Sequence, residues 1–563
     1  MQADQQPEVI IVGAGPTGLF AALLLNNCGV KLRILDKNEQ QAHESRAFAL
    51  QARSLEMMLN LGIVDEFLSR GLITPGVQMF VNGHQRAQVN LTDIGKNNSP
   101  YSFILMLPQS EIEKIFIALL EKRGIHIERD MNVTGFTQNV SGVTVTVTNK
   151  ENQSQQIYTQ YLLGADGAHS IVRDVLGLTF KGAAYAQNFM LADCTIDWSL
   201  EYAYLKIFLR KNYLGVYFPV KGEDYGRAVA IKPSTETDTA ASNVATTAEP
   251  LALPELATAF KEAAGIPVKL SNPVWVTRYR IHHRGVNKYR EGRVFVAGDA
   301  AHIHSPVGGQ GMNTGLQDVA TLVWKLAIQV KNNSSNALLD TYNSERWPVG
   351  EKLLTFTDAA FGKISSQNRF ACILRNFMMP LILKTISKSS RLREKAFRFI
   401  SELGIYYQNN AFLKDNIRKT NYVKATTPGH RAPNGLYKRN ADLFSLLKNY
   451  QFHVLALSRK ALTKIEIAQI RADLNTLPVN PGLPLAVHFI SHSTTGENKD
   501  IIQAETNQVF DSYSLSDENP FGLFLVRPDG YIAYRADNFD IKKLKSFCDN
   551  FSGIATSSNE VST

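Results

Sequence analysis

Glycines close to the start of the chain have the spacing of a phosphate-binding turn. Gly13, Gly15 and Gly18 follow the apolar run Val9–Val12 in the pattern G-x-G-x-x-G. In such a turn the first glycine allows a sharp bend, the second lets the backbone approach a pyrophosphate, and the third lets a helix pack closely on a strand. A second apolar run ends at Asp36, where a carboxylate can accept hydrogen bonds from a ribose hydroxyl. The residue types and their spacing therefore predict a dinucleotide site.

The elements that must position this turn also follow from the sequence. The pattern predicts a strand, a glycine turn, an apolar helix and a second strand, which is the order of a Rossmann-type unit. The N-terminus of the helix offers free N–H groups and the positive end of its dipole to a phosphate. The residues predicted to bind the dinucleotide here are Gly13, Ala14, Gly15, Pro16, Thr17, Gly18, Asp36 and Lys37.

A second glycine-rich segment lies far along the chain, at residues 293–327. It predicts a buried strand over Val294–Ala297, followed by Gly298 and Asp299, and then a helix that begins near Asn313. The apolar side of this helix is regular, with Leu316, Val319, Ala320, Val323, Leu326, Ala327 and Val330. A helix N-terminus behind a glycine-rich loop stabilises negative charge, which suits the pyrimidine end of a reduced flavin. Asp299 is then placed to hold ribityl hydroxyls.

The composition is that of a globular chain with more than one domain. Its 563 residues are 44% hydrophobic and 20% charged, which predicts two or three domains. The 4 cysteines are far apart in the sequence and form no C-x-x-C pair, which excludes zinc ribbons and dithiol redox motifs. This cysteine usage suits a reducing cytoplasm.

One segment resembles a signal peptide or a membrane span. Residues 9–28 are apolar, but Asp4 and Glu8 precede them without a basic residue, and glycines and a proline interrupt them. No other segment reaches about 18 uninterrupted apolar residues, the length of a span. The sequence therefore predicts an unexported cytoplasmic protein with no membrane partner.

The charge of the chain is basic. The formal net charge is +9 and the pI is about 9.1. This balance favours anionic cofactors or substrates, but we interpret it mainly as solvated lysine and arginine side chains. No basic stripe is interleaved with aromatic residues, so the sequence does not indicate nucleic-acid binding. Residues 355–420 are predicted to be helical and basic, and binding of this segment to a membrane surface is the less favoured interpretation of its charge.

The rest of the first part of the chain mixes helix and strand patterns. Helices are predicted at residues 52–62 and 110–123, and an alternating, half-buried strand is predicted at residues 142–148. Strand signals dominate from about residue 185 to 280. Within that stretch the polar residues 234–250 predict a surface loop.

Together these motifs resemble those of the single-component FAD-dependent aromatic hydroxylases, the group that includes p-hydroxybenzoate hydroxylase and phenol hydroxylase. Gly13–Gly18 with Asp36 matches the ADP-binding turn of that family. Residues 164–173 match its DG motif, which is associated with FAD and NADPH binding, and residues 298–313 match its GD motif. Residues 339–348 match its closing segment, and with the two later segments described next the resemblance covers nearly the whole chain.

Two later segments, Pro428–Pro433 and residues 526–531, resemble the phenol-hydroxylase branch, which has a C-terminal thioredoxin-like domain without redox cysteines. The resemblance implies an α/β protein with a Rossmann-like FAD-binding domain, a β-sheet substrate domain and this thioredoxin-like domain. Strands are predicted in the last part at residues 452–457, 523–526 and 531–535. The implied FAD-binding domain has a first part at 1–184, with a substrate-domain insertion near 76–104, and a last part at 281–362. The substrate-binding sheet lies between them at 185–280. A helical connection at 363–425 and the thioredoxin-like domain at 426–555 follow.

The resemblance also implies roles for single residues. Arg46 matches the arginine that lies along the flavin and helps it to change position, and Pro306 matches a proline beside the flavin face where oxygen reacts. Asp166 is either a cofactor contact or a cap for the helix that follows it. Beyond the first turn, the residues implied to bind FAD are Arg46, Gln109, Val133, Asp166, Asp299, Pro306, Gly309, Gly311, Met312 and Asn313.

The chain departs from phenol hydroxylase at one point. That enzyme has an aspartate after the matching arginine, where it aids deprotonation of the phenol, whereas Arg46–Leu50 contains no acid. The substrate-side base therefore stays open, and its candidates are Tyr101, Tyr213, Tyr217, His283 and Tyr289. His302 and His304 do not indicate a metal, because the surrounding glycines suit a flavin and no carboxylate or cysteine stands at metal spacing.

The implied activity is that of an FAD-dependent monooxygenase that consumes NADPH, or NADH, and hydroxylates a phenolic or other electron-rich aromatic ring through a flavin C4a-hydroperoxide. The alternatives are an FAD-binding relative without turnover and a flavin halogenase. A halogenase requires a W-x-W-x-I-P segment, and the 4 tryptophans of this chain are isolated from one another. The implied partners are an aromatic small molecule, O2 and a second copy of the chain in a homodimer.

Overall fold

The computed structural model describes most of the chain. The described residues are 6–41, 47–91, 99–222, 224–232, 249–305, 308–332, 336–364, 366, 368–408, 410–417, 426–477, 483–492 and 501–552. Two predicted site residues, Arg46 and Pro306, lie outside the described residues, and so does most of the predicted loop at 234–250.

A mainly parallel six-stranded sheet carries the first glycine turn. In spatial order its strands are β19 (Arg290–Glu291), β20 (Val294–Val296), β12 (Tyr161–Gly164), β1 (Val9–Val12), β2 (Leu32–Leu35) and β8 (Ile127–Glu128). Strand β1 lies at the centre, parallel to both β2 and β12. All four of its residues are buried, as the unbroken Val and Ile run requires in a sheet covered on both faces.

Seven helices belong to this part of the molecule. They are α1 (Pro16–Asn27), α2 (Ala52–Asn60), α3 (Val64–Arg70), α4 (Gln109–Glu121), α5 (Ile171–Val175), α7 (Gly311–Asn332) and α8 (Asn336–Ile364). The predicted helices at residues 52–62 and 110–123 are present as α2 and α4. Helix α7 differs from its prediction, because it is buried on all sides from Asn313 to Gln329. Helix α1 contacts one side of α7. Residues from later in the chain cover its polar side, for which the sequence predicted no contact.

Two small sheets complete the part of the molecule that contains the parallel sheet. One contains β9 (Asn132–Gln138), β10 (Val143–Thr148) and β11 (Ser154–Thr159), and the other contains β3 (Ala49–Leu50), β7 (Ile104–Met106) and β4 (Leu72–Thr74). Strand β10 alternates buried valines with half-buried threonines, as predicted for residues 142–148.

A large, mostly antiparallel sheet fills the region where the sequence predicted strands. Its strands are β17 (Glu249–Pro250), β18 (Lys269–Val286), β13 (Phe180–Asp197), β16 (Tyr225–Lys232), β15 (Tyr213–Pro219), β14 (Leu205–Arg210), β5 (Gly76–Val81) and β6 (His84–Asn90), with β21 (His302–Ile303) beside β18. Helix α6 (Leu253–Ala264) packs on one face and was not predicted. The other face, which we call the inner face, packs against Phe361 of α8.

Two helices follow α8, namely α9 (Arg369–Lys388) and α10 (Ser390–Ile400). The prediction of helix throughout residues 355–420 is wrong after Ile400, because the chain turns with Glu402 at φ +60 and the Gly404 N–H closes on the Arg398 carbonyl. One helix among the described residues, α9, is long enough and apolar enough to cross a membrane. Only 17% of its most apolar stretch is buried in the protein. Arg375 lies within α9 and interrupts its apolar sequence, so no uninterrupted run there reaches the length of a span.

The C-terminal part forms its own sheet. In spatial order the strands are β22 (Lys414–Asn416), β29 (Ile532–Ala536), β28 (Phe521–Val526), β25 (Phe452–Ser458), β26 (Leu485–Ser491) and β27 (Ile502–Gln503). The other elements are the hairpin β23 (Leu436–Lys438) and β24 (Ala441–Asp442) and the helices α11 (Lys464–Leu474), α12 (Gln508–Ser512) and α13 (Ile541–Ser552). Strand β25 pairs parallel with β26 and antiparallel with β28. The strands predicted for this part are present.

Buried charges join the C-terminal part to the FAD-binding part. Arg527 donates to both Glu345 oxygens, at 2.7 and 3.1 Å, and also pairs with Asp529. Lys325 on α7 donates to Glu345 at 2.6 Å, and Arg53 on α2 donates to the Asp529 carbonyl. The closing segment at 339–348 and the segment at 526–531 are therefore in direct contact.

Candidate functional site

Three motifs that are far apart in the sequence meet at one end of the parallel sheet. Gly13 has φ +100, and a Cβ on it would lie 2.3 Å from the Ala165 carbonyl of the DG motif. Gly298 of the GD motif has φ +59, and a Cβ there would lie 2.7 Å from Thr17 Oγ1 on α1. These positive φ values and close approaches explain why both positions are glycine. The motifs form one site because each follows a parallel strand of the same sheet.

The first turn has room for a pyrophosphate. A Cβ on Gly15 would meet no protein atom within 4 Å, whereas a Cβ on Gly18 would lie 2.0 Å from the Gly13 carbonyl. Gly15 is also the N-cap residue of α1, and no side chain caps the helix there and no acidic residue lies in its first turn. The N–H groups at this helix start are free to bind an anion. Gly18 thus serves packing, and the open space at Gly15 fits the phosphates of FAD.

Asp36 is fixed beside this turn. Its Oδ2 accepts the Ala14 N–H at 2.7 Å, and its Oδ1 accepts the Asn38 N–H at 2.8 Å. Arg129 lies 3.6 Å from the same Oδ1. The carboxylate is therefore held at the end of β2 by backbone donors, at the edge of the space that a ribose would enter.

Lys37 and Val133 lie near Asp36 but differ in exposure. Lys37 directly follows Asp36 and is exposed. Val133 is 3% exposed on β9, which begins directly after Met131, whose N–H binds the Asp36 carbonyl. A backbone contact from Val133 to the adenine remains a prediction.

Gln109 anchors the segment that follows Arg46. Its Oε1 accepts the Ala47 N–H at 3.2 Å, and its own N–H donates to the Ala47 carbonyl at 3.1 Å. Its Nε2 donates to Glu113 at 2.8 Å, and burial raises the pKa of that carboxyl. Gln109 therefore positions the backbone beside Arg46, whether or not it also contacts FAD.

Asp166 caps helix α5 with one carboxylate oxygen, and its other oxygen accepts no hydrogen bond from the described residues. Its Oδ2 accepts the Val172 N–H of α5 at 3.2 Å, and it also bonds the Ser170 side chain. Its Oδ1 is buried and has no partner among the described residues, and burial raises the pKa of the carboxyl. A buried acceptor without a donor indicates a group that is absent from the site, so the cap and a cofactor contact are compatible.

The GD turn is held by an acid that the sequence analysis did not single out. Asp318 Oδ2 accepts the Gly298 N–H at 3.2 Å and lies 2.6 Å from His302 Nε2, while Oδ1 accepts Arg346 Nε at 2.8 Å. Burial alone would raise the pKa of Asp318, but His302 and Arg346 outweigh it and lower the pKa below its usual range. Asp299 itself is exposed on this turn.

The loop before α7 is clamped through the Asn313 side chain. Its Oδ1 accepts the Gln51 N–H at 3.0 Å and the Ser54 hydroxyl at 2.7 Å. Its Nδ2 donates to the carbonyls of Ala49 and Gly309 at 3.0 and 2.8 Å. Because protein atoms use this side chain fully, Asn313 is left with its backbone N–H for a flavin. The predicted backbone contacts of Gly309, Gly311 and Met312 are compatible with the helix start at Gly311.

Glu402 is a second acid that sequence reasoning missed. It is 4% exposed and accepts Thr314 Oγ1 at 2.9 Å and also Gln317 Nε2, both near the start of α7. Burial raises its pKa to about 8. This shift favours the protonated, uncharged form of the acid next to the start of α7.

The paired histidines of the GD loop lie close to Asp318. The rings of His302 and His304 are tilted by 38° with their centroids 4.6 Å apart, and His302 is bound to Asp318. The described residues contain no group of three or more His, Cys, Asp or Glu side chains that could hold a metal ion. Burial lowers the pKa of His304 well below its usual range, so this ring is neutral.

A polar cluster lies where the GD loop meets the large sheet and α8. The pairing of β18 with β21 ties the GD loop to the large sheet. Beside it, Tyr185 donates to Asp358 Oδ1 at 2.9 Å, and His283 Nδ1 lies 3.6 Å from the same oxygen. Ser305, which directly precedes Pro306, donates to the Thr357 carbonyl at 3.3 Å. We call Tyr185, His283 and Asp358 the polar triad.

The sequence candidates for a base separate in the structure. Tyr217 is buried on the α6 side of the sheet against Trp198, and Tyr289 is buried against His302. Tyr101 is also buried, and burial raises its pKa. The sequence alone could not predict that His283 lies beside Asp358, because 75 positions of chain separate them.

Asp299→Ala should weaken FAD binding by about 1–3 kcal/mol, the cost of losing a hydrogen bond that a ribityl hydroxyl donates to a charged carboxylate. Folding should be preserved because Asp299 is exposed in the protein alone. Titration of the apoprotein with FAD measures the change. An unchanged affinity would show that Asp299 serves only the turn.

Comparison with known proteins agrees with this geometry. The model of a family described as the FAD binding domain matches residues 6–357. The 6-methylpretetramide 4-monooxygenase of Streptomyces rimosus is 33% identical over 409 residues, which is 72% of this chain and 70% of that protein. An uncharacterised aromatic compound monooxygenase of Bacillus subtilis is 28% identical over 531 residues, 94% of each chain. The solved structure of a flavin-dependent monooxygenase, PieE, with FAD and substrate has a TM-score of 0.77 at 21% identity and covers 98% of this chain and 100% of that one.

Proposed function

This chain belongs to the FAD binding domain family and is an FAD-dependent aromatic monooxygenase, and from that premise we propose that it hydroxylates a phenolic or polyketide-type aromatic ring with electrons from NADPH. The observation that carries the proposal is the meeting of the three glycine motifs at one end of the parallel sheet, with the GD loop tied to the large sheet. A flavin bound there would lie between the dinucleotide turn and the inner face.

Bound FAD supplies the redox chemistry, taking electrons from the nicotinamide and activating O2 for transfer of one oxygen atom to the ring. NADPH is preferred over NADH in this proposal because the DG segment at residues 164–173 resembles the family motif associated with NADPH. A comparison of the two nucleotides in the same assay tests that preference.

The inner face can exclude water and orient the ring. Phe189 stacks on Tyr279 and on Phe361 of α8, with ring centroids 5.6 and 5.5 Å apart. Tyr185 meets the edge of Phe361 at 4.3 Å, which brings the polar triad to the border of this aromatic group. An aromatic wall with a few polar groups at its edge suits a planar phenol.

We assign the proton-accepting role to the Asp358–His283 pair. Removing the phenolic proton raises the electron density of the ring and favours attack on an electrophilic oxygen. His283 can take that proton at its imidazole, and the Asp358 carboxylate, 3.6 Å from its Nδ1, can balance the resulting positive charge. Tyr185 fixes Asp358 from the other side.

Asp358→Asn should lower the rate of product formation by about 10²-fold, the lower end of what a general base contributes. FAD binding should not change, because none of the hydrogen bonds and ion pairs described for Asp358 reaches a residue of the cofactor site. The loss should shrink at high pH, where the phenol ionises in solution. Glu351→Gln, an exposed change on the same helix, is the matched control. Equal rates for both variants would exclude this assignment.

The C-terminal part is proposed to be a thioredoxin-like domain that stabilises the enzyme. Support comes from its order of β25, α11, β26, α12, β28, β29 and α13, with β25 parallel to β26 and antiparallel to β28. Its Cys548 is buried, and burial raises the pKa of that thiol to about 12. A buried, protonated thiol is inert, so we assign no thiol chemistry to this domain.

A substrate screen tests the proposed function. We expect a yellow protein whose NADPH consumption rises when a suitable phenol or aromatic polyketide is added, with a product heavier by one oxygen atom. Light scattering on the same preparation tests the predicted homodimer. An FAD-loaded protein that consumes NADPH equally with and without every ring would support the relative without turnover.

A further inference from the structure

Helix α9 turns its apolar side to the solvent. Phe370, Ile373, Leu374, Phe377 and Leu381 are 76, 68, 51, 70 and 50% exposed. Their spacing of three and four residues places them on one side of the helix. We call these five residues the α9 stripe. A soluble helix normally buries such a row, so this surface requires a partner.

The opposite side of α9 fixes this orientation. Cys372 is buried, and Met379 and Leu383 pack against the core of the inner face. Arg375 is also buried and donates to the Lys211 carbonyl at 2.9 Å. The helix is thus seated on the large sheet through these four residues, and the α9 stripe faces outward because of these contacts.

The same part of the chain carries nearly all of the net charge. Residues 363–398 contain nine lysines and arginines and a single acid, Glu394, against a formal charge of +9 for the whole chain. Helix α9 itself contains no aspartate or glutamate. Lys384 and Lys388 are exposed at its end, and Arg391 and Lys395 are exposed on α10. An exposed apolar row is therefore bordered by positive charge.

We propose that the α9 stripe binds the surface of an anionic membrane, with α9 lying in the plane of the interface. Large apolar side chains on one side of a helix enter the boundary between headgroups and acyl chains, and nearby lysines and arginines contact lipid phosphates. Both features occur together on α9. The proposal replaces the sequence expectation of no membrane partner, which rested on charge and uninterrupted apolar runs without knowledge of which side of α9 is buried.

Two other uses of α9 fit less well. A span would need the helix to leave the large sheet, yet Arg375, Met379 and Leu383 hold it there. A dimer built on the α9 stripe would place two strongly basic segments against each other, and like charges at an interface oppose association. An anionic membrane surface would bury the apolar α9 stripe and neutralise the positive charge beside it.

Sedimentation of the FAD-loaded protein with vesicles tests the proposal. We expect binding to vesicles of phosphatidylcholine mixed with phosphatidylglycerol, weak binding to phosphatidylcholine alone, and release by salt. Phe370→Ser with Phe377→Ser should lower the binding at least tenfold, and Lys384→Glu with Lys388→Glu should remove the preference for anionic lipid. These side chains are exposed, so folding and FAD content should be preserved.

The control is Val274→Ser with Ile465→Ser, which removes two apolar side chains that are 72 and 82% exposed elsewhere. This variant should bind vesicles like the wild type. The proposal would be overturned if the wild type failed to bind anionic vesicles. It would also be overturned if the Val274 and Ile465 variant lost as much vesicle binding as the Phe370 and Phe377 variant. Conversion of a dimer to a monomer by the Phe370 and Phe377 changes, without vesicle binding by the wild type, would identify a second copy as the occupant instead.

Discussion

Gly15→Val is expected to abolish FAD binding while the protein stays folded. The Cβ position at Gly15 meets no protein atom within 4 Å, so the new side chain starts in open space. It would instead fill the space at the start of α1, where the phosphates must approach the backbone N–H groups. Loss of the yellow colour and of FAD in the denatured extract, with an unchanged circular dichroism spectrum, is the expected result.

Two further glycine variants make this result specific. Gly135→Val on β9 also enters open space, and it should keep its FAD. Gly18→Val should fail differently, by unfolding, because its Cβ would lie 2.0 Å from the Gly13 carbonyl. Full FAD occupancy in Gly15→Val would show that the pyrophosphate lies elsewhere.

The sequence predicted the dinucleotide turn well because its signals are local. A Val and Ile strand, a glycine pattern and an acid after the second strand are each readable within 40 residues, and β1, α1 and β2 follow them closely. The alternation over residues 142–148 and the strands of the large sheet were predictable for the same reason. The motifs were recognised individually, and the parallel sheet explains why they share one site.

The missing parts of the site depend on contacts between distant segments. Asp318, Asp358 and Glu402 lie on or beside helices where an acid normally faces water. What makes each of them important is a partner that the sequence does not identify, respectively Gly298, His283 and Thr314. Helix α6 was missed because a strong strand pattern on both sides of it concealed a short helical segment.

Helices α7 and α9 show in opposite ways that a sequence pattern alone does not determine burial. The polar side of α7 was left without a partner by the sequence, yet Glu402 and the C-terminal part bury it. The apolar residues of α9 had the pattern of a buried side, yet the α9 stripe is exposed. Periodicity tells which residues share a side of a helix, whereas burial depends on what the rest of the chain places there.

Asp318→Asn is expected to reduce both stability and FAD binding strongly. Asp318 is fully buried, and its loss of charge would leave Arg346 without a counter-ion, which typically costs about 3–5 kcal/mol. It would also weaken the hold on His302 and on the Gly298 N–H, so the GD turn beside the flavin site would lose its anchor. Chemical denaturation of the apoprotein and FAD titration measure the two effects separately.

Glu345→Gln separates stability from cofactor binding. This change also leaves buried cations, Arg527 and Lys325, without their shared carboxylate, so the unfolding free energy should fall by a similar amount of about 3–5 kcal/mol. Glu345 has no contact with the GD turn among its described hydrogen bonds, and the folded fraction should therefore bind FAD like the wild type. If Glu345→Gln and Asp318→Asn lose FAD affinity equally, the loss reflects general instability, and Asp318 has no specific role in positioning the GD turn.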